Sequence, residues 1–371
     1  MTVLVFNVGS TTLKYALVDL AKREQRRGGL IDRIGQAEGN ACDHVTAARN
    51  ILEDVGLQSV EAIGHRIVQG GDQFHAPALV DPSVLTRLRK LDSLAPLHNP
   101  PARAVVEGLV ATGVPQTLVF DTAYYATLKP VAYRYAVPAS WYHEHGVRRY
   151  GFHGTSHQYV TDQAIHYLLT LDSGKKKPLR LISLHLGGGA SVTASIDGVA
   201  VETSMGMTPL QGLVMATRSG DLDPAVIFHM MRSAKMTADE VDEALNKQSG
   251  LRGLCGDSDM RNILTRLGHG DQDATLAVEL FVRRVQQFIG SFTATLGGLD
   301  GLIFTAGIGE HSPEIRSRIC EKLGFLGIEI DENLNQSTVD GVLDISRHPS
   351  KSRTLVVTTD EEYAIAKQVI V

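Results

Sequence analysis

Apolar positions along this chain fall in two rhythms. A period of two marks TVLVFNVGSTTLKYALVD (residues 2–19) and RLISLHLGGGASVTASIDG (residues 180–198). Each reads as an apolar strand, a Gly-rich turn carrying hydroxyls, and a second alternating strand. Short apolar runs predict strands at AIGHRIV (62–68), QTLVF (116–120), LIFTAGIGE (302–310) and TLVVTT (354–359). The helical period predicts helices over 43–55, after Pro100 and Pro101 with an apolar face from Ala104 to Leu109, from Thr155 or Ser156, and from Pro224. Thr237 and Glu240 make a capping-box pattern for a helix ending near Gly250. A strongly amphipathic helix is predicted from Ala274 to Leu296, and a further one with Ser312 as cap and Pro313 in its first turn. Residues 24–40 read as a polar, Gly-containing stretch with no element, and 207–223 as a long polar loop.

Strands alternating with helices throughout place the chain in the α/β class, in two related halves. Its 371 residues exceed what one hydrophobic core usually supports, so two domains are expected. The doubled hairpin gives those halves a shared chemistry. A strand-turn-strand of this kind aims backbone N–H groups and short hydroxyls into one concavity, which suits a phosphate. Asn7, Ser10, Thr12 and Lys14 crowd into the first turn.

Composition narrows the function classes. Hydrophobic content of 43% and charged content of 21% are those of an ordinary globular protein. A net charge of -5 gives no support to nucleic-acid binding, and the basic run Lys175–Lys177 reads as a solvated loop. No apolar segment approaches the ~20 residues of a membrane span, and no signal peptide is expected. Cys42, Cys255 and Cys320 are odd in number and widely spaced, which argues against a disulfide framework or a zinc site. A cytoplasmic enzyme is the economical placement.

Two arginines stand out. Arg66 lies inside an apolar strand and Arg218 in a Gly/Asp-rich loop; each needs an anionic partner, either a structural carboxylate or a substrate. His98, His153, His157 and His185 lie in Gly- or Pro-containing turns, a setting better suited to hydrogen bonding with an anion than to zinc. Asp121 ends a strand, where it contacts a ligand or caps the following turn. Gly-x-Gly-Glu between a strand and a helix suits a nucleotide phosphate. Asp360, Glu361 and Glu362 favour a helix N-terminus or supply a magnesium ligand.

Together NVGSTTLK, GHRIVQGG, APLHNPP, FDTAYY, RRYGFHGTSH, HLGGGAS, TSMGMTPLQGLVMATRSGDLDP, DMR (259–261), GIGEH and TDEE resemble, in order and nearly end to end, the motifs of the acetate kinase family. This places the chain in the acetate and propionate kinase branch of the sugar kinase, Hsc70 and actin superfamily. The resemblance implies two RNase-H-like domains, residues 1–123 with 360–371 and residues 124–359, with ATP or ADP between them, Mg²⁺ or Mn²⁺ as cofactor, and a homodimer. It implies reversible direct transfer of a phosphoryl group from ATP to acetate, with propionate as the alternative acceptor and a non-catalytic nucleotide-binding role as the remoter one.

By motif, the resemblance puts Asn7, Ser10 and Thr12 at the phosphate and metal, with Lys14 beside them, and Glu361 on the metal. Arg66, Arg218 and His153 fall on the acyl carboxylate and the phosphoryl group, and Asp121 on the family's active-site aspartate. Val68, Leu97, Phe152 and Pro209 correspond to the acyl pocket. His185, Gly187, Gly188, Gly189, Asp259, Met260, Arg261, Gly307, Ile308, Gly309, Glu310 and His311 correspond to nucleotide contacts. A carboxylic acid such as acetate, which titrates near pH ~4, is already ionised at neutral pH, so cations that suppress repulsion matter more than a base. The chain departs from the pattern at Thr11 and Thr12 (serines in the family), at Gly188 and His311 (asparagines) and at Tyr125 (histidine), and it is short between the first hairpin and GHRIVQGG.

Overall fold

The computed structural model describes residues 1–36, 39, 41–96, 98–171 and 178–370. Contacts divide the chain into two compact units: residues 1–126, 152–159 and 360–371, and residues 127–151 and 160–359. The first takes up 152–159, which the motif boundaries assign to the second half.

In the first unit β1 (Thr2–Val8), β2 (Leu13–Asp19), β3 (Glu24–Ile31), α1 (His44–Val55), β4 (Ala62–Ile67), β5 (Ala78–Leu79), α2 (Pro82–Arg89), α3 (Asn99–Leu109) and β6 (Gln116–Phe120) build a six-stranded sheet of order β3-β2-β1-β4-β6-β5. β1 runs antiparallel to β2 and parallel to β4, at the sheet's centre. That position explains its unbroken apolar run, since both faces are covered. Leu4, Phe6, Ile63 and Leu118 pack under Ala48, Ile51, Val105 and Val106 of α1 and α3. Asp43 starts α1 by accepting the Thr46 N–H at 2.7 Å. β3 corrects the expectation of an unstructured stretch. It is an edge strand with exposed Glu24, Arg26 and Arg27, and a solvated edge carries no alternation to read.

The second unit holds α4 (Pro130–Tyr133), α5 (Ala139–His145), most of α6 (Gly154–Leu171), β7 (Arg180–Leu186), β8 (Ala190–Ile196), β9 (Val199–Thr203), α7 (Ala225–Ser233), α8 (Ala238–Lys247), α9 (Gly250–Cys255), α10 (Met260–Gly268), α11 (Gln272–Leu296), β10 (Gly301–Thr305), α12 (Ala306–His311), α13 (Pro313–Cys320), α14 (Glu332–Asn335), β11 (Val342–Asp344) and β12 (Arg353–Val357). Its sheet order, β11-β12-β10-β7-β8-β9, repeats the first: three antiparallel strands of which the innermost is central, then two parallel strands and an antiparallel edge. The buried stripe of α11, including Val278, Phe281, Val285, Ile289 and Phe292, covers β7 and β8.

The Thr237 and Glu240 capping box forms as predicted. GIGEH differs: its residues make a separate short helix, α12, before Ser312 caps α13. The chain then returns to the first unit with α15 (Glu361–Ala366), whose Ile365 and Ala366 pack on Val3, Val5 and Val119. Lys175–Lys177 lie outside the described residues, and among the described residues no helix is long and apolar enough to cross a membrane.

Candidate active site

The carboxyl ends of β1, β4 and β6 bring one charged cluster together in the first unit. The register pairs Asn7 with Arg66 and Arg66 with Val119, so Asp121 follows at the end of its strand. Arg66 Nε donates to Asp121 Oδ1 at 3.0 Å and Nη2 to Oδ2 at 2.6 Å, a bidentate fork, while Nη1 donates to Asn7 Oδ1 at 3.0 Å. Asp121 is 1% exposed. Burial pulls the Arg66 guanidinium down, but Asp121, Glu361 and Glu362 hold it above its ordinary value.

Glu361 opens α15 beside this fork. Burial pushes its carboxyl above the usual range, Arg66 pulls it back, and Asp121 and Glu362 push it further. No hydrogen bond reaches the Glu361 carboxylate from a described side chain, whereas its neighbour Glu362 takes the Lys14 ammonium at 2.8 Å. Lys14 is thus engaged by a carboxylate, where the motif gives it to a phosphate. The desolvated Glu361 carboxylate and the Asn7 amide oxygen, each interacting with Arg66, are hard oxygen donors of the kind magnesium takes. Among the described residues no three His, Cys, Asp or Glu side chains gather as a metal cage.

The Gly-Phe-His-Gly turn, 151–154, reaches this cluster by close backbone approach. A Cβ on Gly154 would stand 2.0 Å from the Asp121 carbonyl oxygen and 2.9 Å from Tyr124 Cβ, so only glycine fits. His153 itself has φ +56, a left-handed conformation unusual for a side chain of its size. Tyr125, buried, donates its hydroxyl to the Phe152 carbonyl at 2.8 Å and so anchors the turn. Val68 and Phe152 are both buried in this unit. Asn99 donates to the Gln69 carbonyl at 2.9 Å and accepts its N–H at 3.2 Å, fixing the chain just after Val68. Leu97 lies outside the described residues. Ser10 is exposed and Thr12 partly buried in the first turn, which closes through Gly9 N–H to Thr12 O at 2.8 Å.

In the second unit Arg218 donates to the Pro209 carbonyl at 3.1 Å, and its backbone carbonyl accepts the Met215 N–H at 3.2 Å. The same unit holds a cleft of 970 Å³, lined by Gly187 and Gly188, by Asp259, Met260 and Arg261 at the start of α10, and by Gly307, Ile308 and His311 of α12. Asp259 caps α10 and grips Arg261 through Nε at 2.9 Å and Nη2 at 2.5 Å, which pulls its carboxyl down to about 2. Gly188 has nothing within 4 Å of a would-be Cβ, and its carbonyl accepts the Ala216 N–H at 3.1 Å. His185, near the end of β7, is 9% exposed and pairs in register with Thr305; neither it nor Gly189 is among the residues that line the cleft. Gly309 and Glu310 are buried within α12, and neither is among the residues that line the cleft.

The chain matches the pattern of the Acetokinase family over residues 41–367. It belongs to the acetokinase family. A relative named acetate kinase from Leifsonia xyli is 45% identical over 99% of this chain and 98% of its own length. Among solved structures, acetate kinase from Porphyromonas gingivalis superposes with a TM-score of 0.91 at 36% identity, covering 99% of this chain and 98% of that one. A propionate kinase from Francisella tularensis does so at 0.92 and 36%, with the same coverage. The two repeated sheets are therefore the two-domain fold of the acetokinase family.

Sequence reasoning misses the supports of this acetokinase site. In the sequence Tyr125 registers only as a departure, and Asn99 as part of a Pro-rich loop. Arg316, fully buried in α13, does not stand out; its Nη1 donates to the carbonyls of Gly309 at 2.9 Å and Glu310 at 2.8 Å, closing the end of α12. The available signal is an arginine three residues past a helix-opening proline, whose neighbours at helical spacing, Ser312, Pro313, Ile319 and Cys320, include no acid.

Proposed function

We propose that this acetokinase-family chain transfers a phosphoryl group reversibly between ATP and acetate, giving ADP and acetyl phosphate by direct in-line transfer. The observation that carries this reading is the Arg66 fork on buried Asp121, joined by Asn7 and Glu361. The acceptor is an anion that needs no proton removed, so the obstacle is the approach of one anion to another. Arg66 and Arg218 bind and orient the carboxylate and the phosphoryl oxygens, with His153 donating to the latter. Asp121, already gripped by Arg66, positions that guanidinium and acts as no base. Asn7 and Glu361 would hold Mg²⁺, which when bound neutralises phosphate charge. Gly187, Gly188, Asp259, Met260, Arg261, Gly307, Ile308 and His311 form the walls for the nucleotide.

Hydroxamate detection of acyl phosphate tests the reading. Activity with ATP, Mg²⁺ and acetate is expected in the wild type. The buried walls Val68 and Phe152 favour two or three carbons, so kcat/KM is expected to peak at acetate or propionate and to fall about tenfold or more at formate and butyrate, since a methylene is worth ~1–3 kcal/mol in such discrimination. ADP binding with no acyl phosphate from any of these acids would reject the catalytic reading in favour of a regulatory one. The Francisella relative named propionate kinase supports the three-carbon alternative.

We further propose a homodimer formed through the second unit. α7 buries none of its residues and leaves Val226, Phe228 and Met230 exposed, and Leu276 and Leu280 of α11 are exposed as well. Light scattering is expected to give twice the 40.1 kDa of one chain, and a monomer at micromolar concentration would reject it. Cytoplasm is the proposed location, where ATP is held and where Cys42, Cys255 and Cys320, all free, stay reduced.

A further inference from the structure

Glu310 belongs to the Gly-x-Gly-Glu turn, yet its carboxylate faces the interior. Oε1 accepts three hydrogen bonds: from Thr305 Oγ1 at 3.1 Å, from the Ala306 N–H at 2.8 Å and from the Thr359 N–H at 3.0 Å. The residue is 8% exposed, and Thr305 is wholly buried. Three donors converging on one ionised oxygen make charge-assisted bonds, stronger than neutral ones.

Ala306, the residue so held, has φ +64. Only glycine visits this left-handed region routinely, so an alanine there needs its surroundings to keep it in place. The unusual backbone has a use. It brings the Ala306 methyl to 3.7 Å from where a Cβ of Gly187 would stand, on the opposite turn of the cleft, and it launches Gly307 and Ile308 along the cleft wall. The Thr359 bond ties the same oxygen to the chain two residues past β12, so one carboxylate joins the segments that leave β10 and β12.

We propose that Glu310 is a positioning residue for the nucleotide: it holds Ala306 left-handed and thereby sets the Gly307–Ile308 wall without touching the ligand. An inward carboxylate also keeps a negative charge from the phosphates. This inference rests on the reading that the cleft of Gly188, Met260 and Ile308 takes ADP and ATP.

Calorimetric titration with ADP, beside KM values for ATP and acetate, tests it. Glu310→Ala is expected to raise the ADP Kd and the ATP KM about tenfold or more, with the acetate KM within about twofold, because two buried donors and a partly buried one lose their acceptor. Glu310→Gln, which keeps a carbonyl acceptor without the charge, is expected to weaken ADP by about threefold, between wild type and alanine. Ala306→Gly adopts the left-handed backbone unaided. Added to Glu310→Ala, it is expected to recover at least half of the lost affinity on a logarithmic scale. Met260→Glu, a carboxylate set into the cleft wall, serves as the control for the nucleotide reading. If wild type binds no ADP, or Met260→Glu leaves its Kd unchanged, that reading fails. If Met260→Glu weakens ADP while Glu310→Gln and Glu310→Ala bind it as wild type does, or if Ala306→Gly rescues nothing, the role given to Glu310 is overturned. Should Glu310→Ala not fold, Glu310→Gln alone decides: an unchanged Kd rejects the proposal and the threefold loss supports it.

Discussion

Arg66→Ala is expected to lower kcat for acetyl phosphate formation by about 10³-fold or more, the scale on which arginines serve phosphoryl transfer. The same fork that would meet the substrates also neutralises Asp121, which is 1% exposed. Removing one partner of a buried ion pair costs about 3–5 kcal/mol, so a fall in Tm should accompany the loss of rate. Glu361 loses the cation that pulls its carboxyl down, which drives its pKa further up and weakens its value as a ligand at neutral pH. Arg66→Lys separates the two effects. A lysine restores a charge beside Asp121 but cannot reproduce the two parallel bonds at 3.0 and 2.6 Å together with the third to Asn7. Tm is therefore expected to recover more than kcat. ADP affinity, which the proposed function assigns to the cleft of the second unit, should stay within about threefold in both variants. A lysine variant with wild-type kcat would show that the fork geometry is dispensable.

Gly154→Ala is the second large effect, from the addition of a single methyl. With 2.0 Å to the Asp121 carbonyl oxygen and 2.9 Å to Tyr124 Cβ, the new carbon has no place unless the turn retreats by an ångström or so. Overpacking of this kind costs about 1–3 kcal/mol. The functional cost is larger, because His153 and Asp121 are held by that contact and a displacement near 1 Å costs on the order of 10²-fold. Gly290→Ala, in the middle of α11 with no atom within 4 Å of its Cβ, is the matched control. It should leave kcat alone and add about 0.5–1 kcal/mol of helix stability. Assay and thermal melts of the pair measure both terms, and wild-type turnover in Gly154→Ala would remove the turn from the site.

Much of this is legible along the chain. Buried strands such as β1 and β6 announce themselves by apolar runs, and caps such as Asp43 and Thr237 set helix starts because one side chain satisfies one N–H. Arg66 betrays itself as a charge in an apolar strand, and the structure supplies the partner it needs, Asp121. β3 is illegible because a solvated edge has no buried face. Glu310 misleads for a different reason: motif spacing brings a residue to a turn but does not say which way its side chain points. The same limit applies to Lys14, whose ammonium turns to Glu362, 348 positions away in sequence and beyond any local pattern.

Glycines in this chain look alike as letters but differ in reversibility. At position 154 the missing Cβ is a structural requirement, and selection has one acceptable answer. Gly188 carries no such constraint: open space surrounds it and its φ lies outside the left-handed region. A side chain could return there through a point mutation with no repacking to accompany it. That end of the cleft is therefore an open evolutionary position, where a side chain can be added while the fold around it stays still.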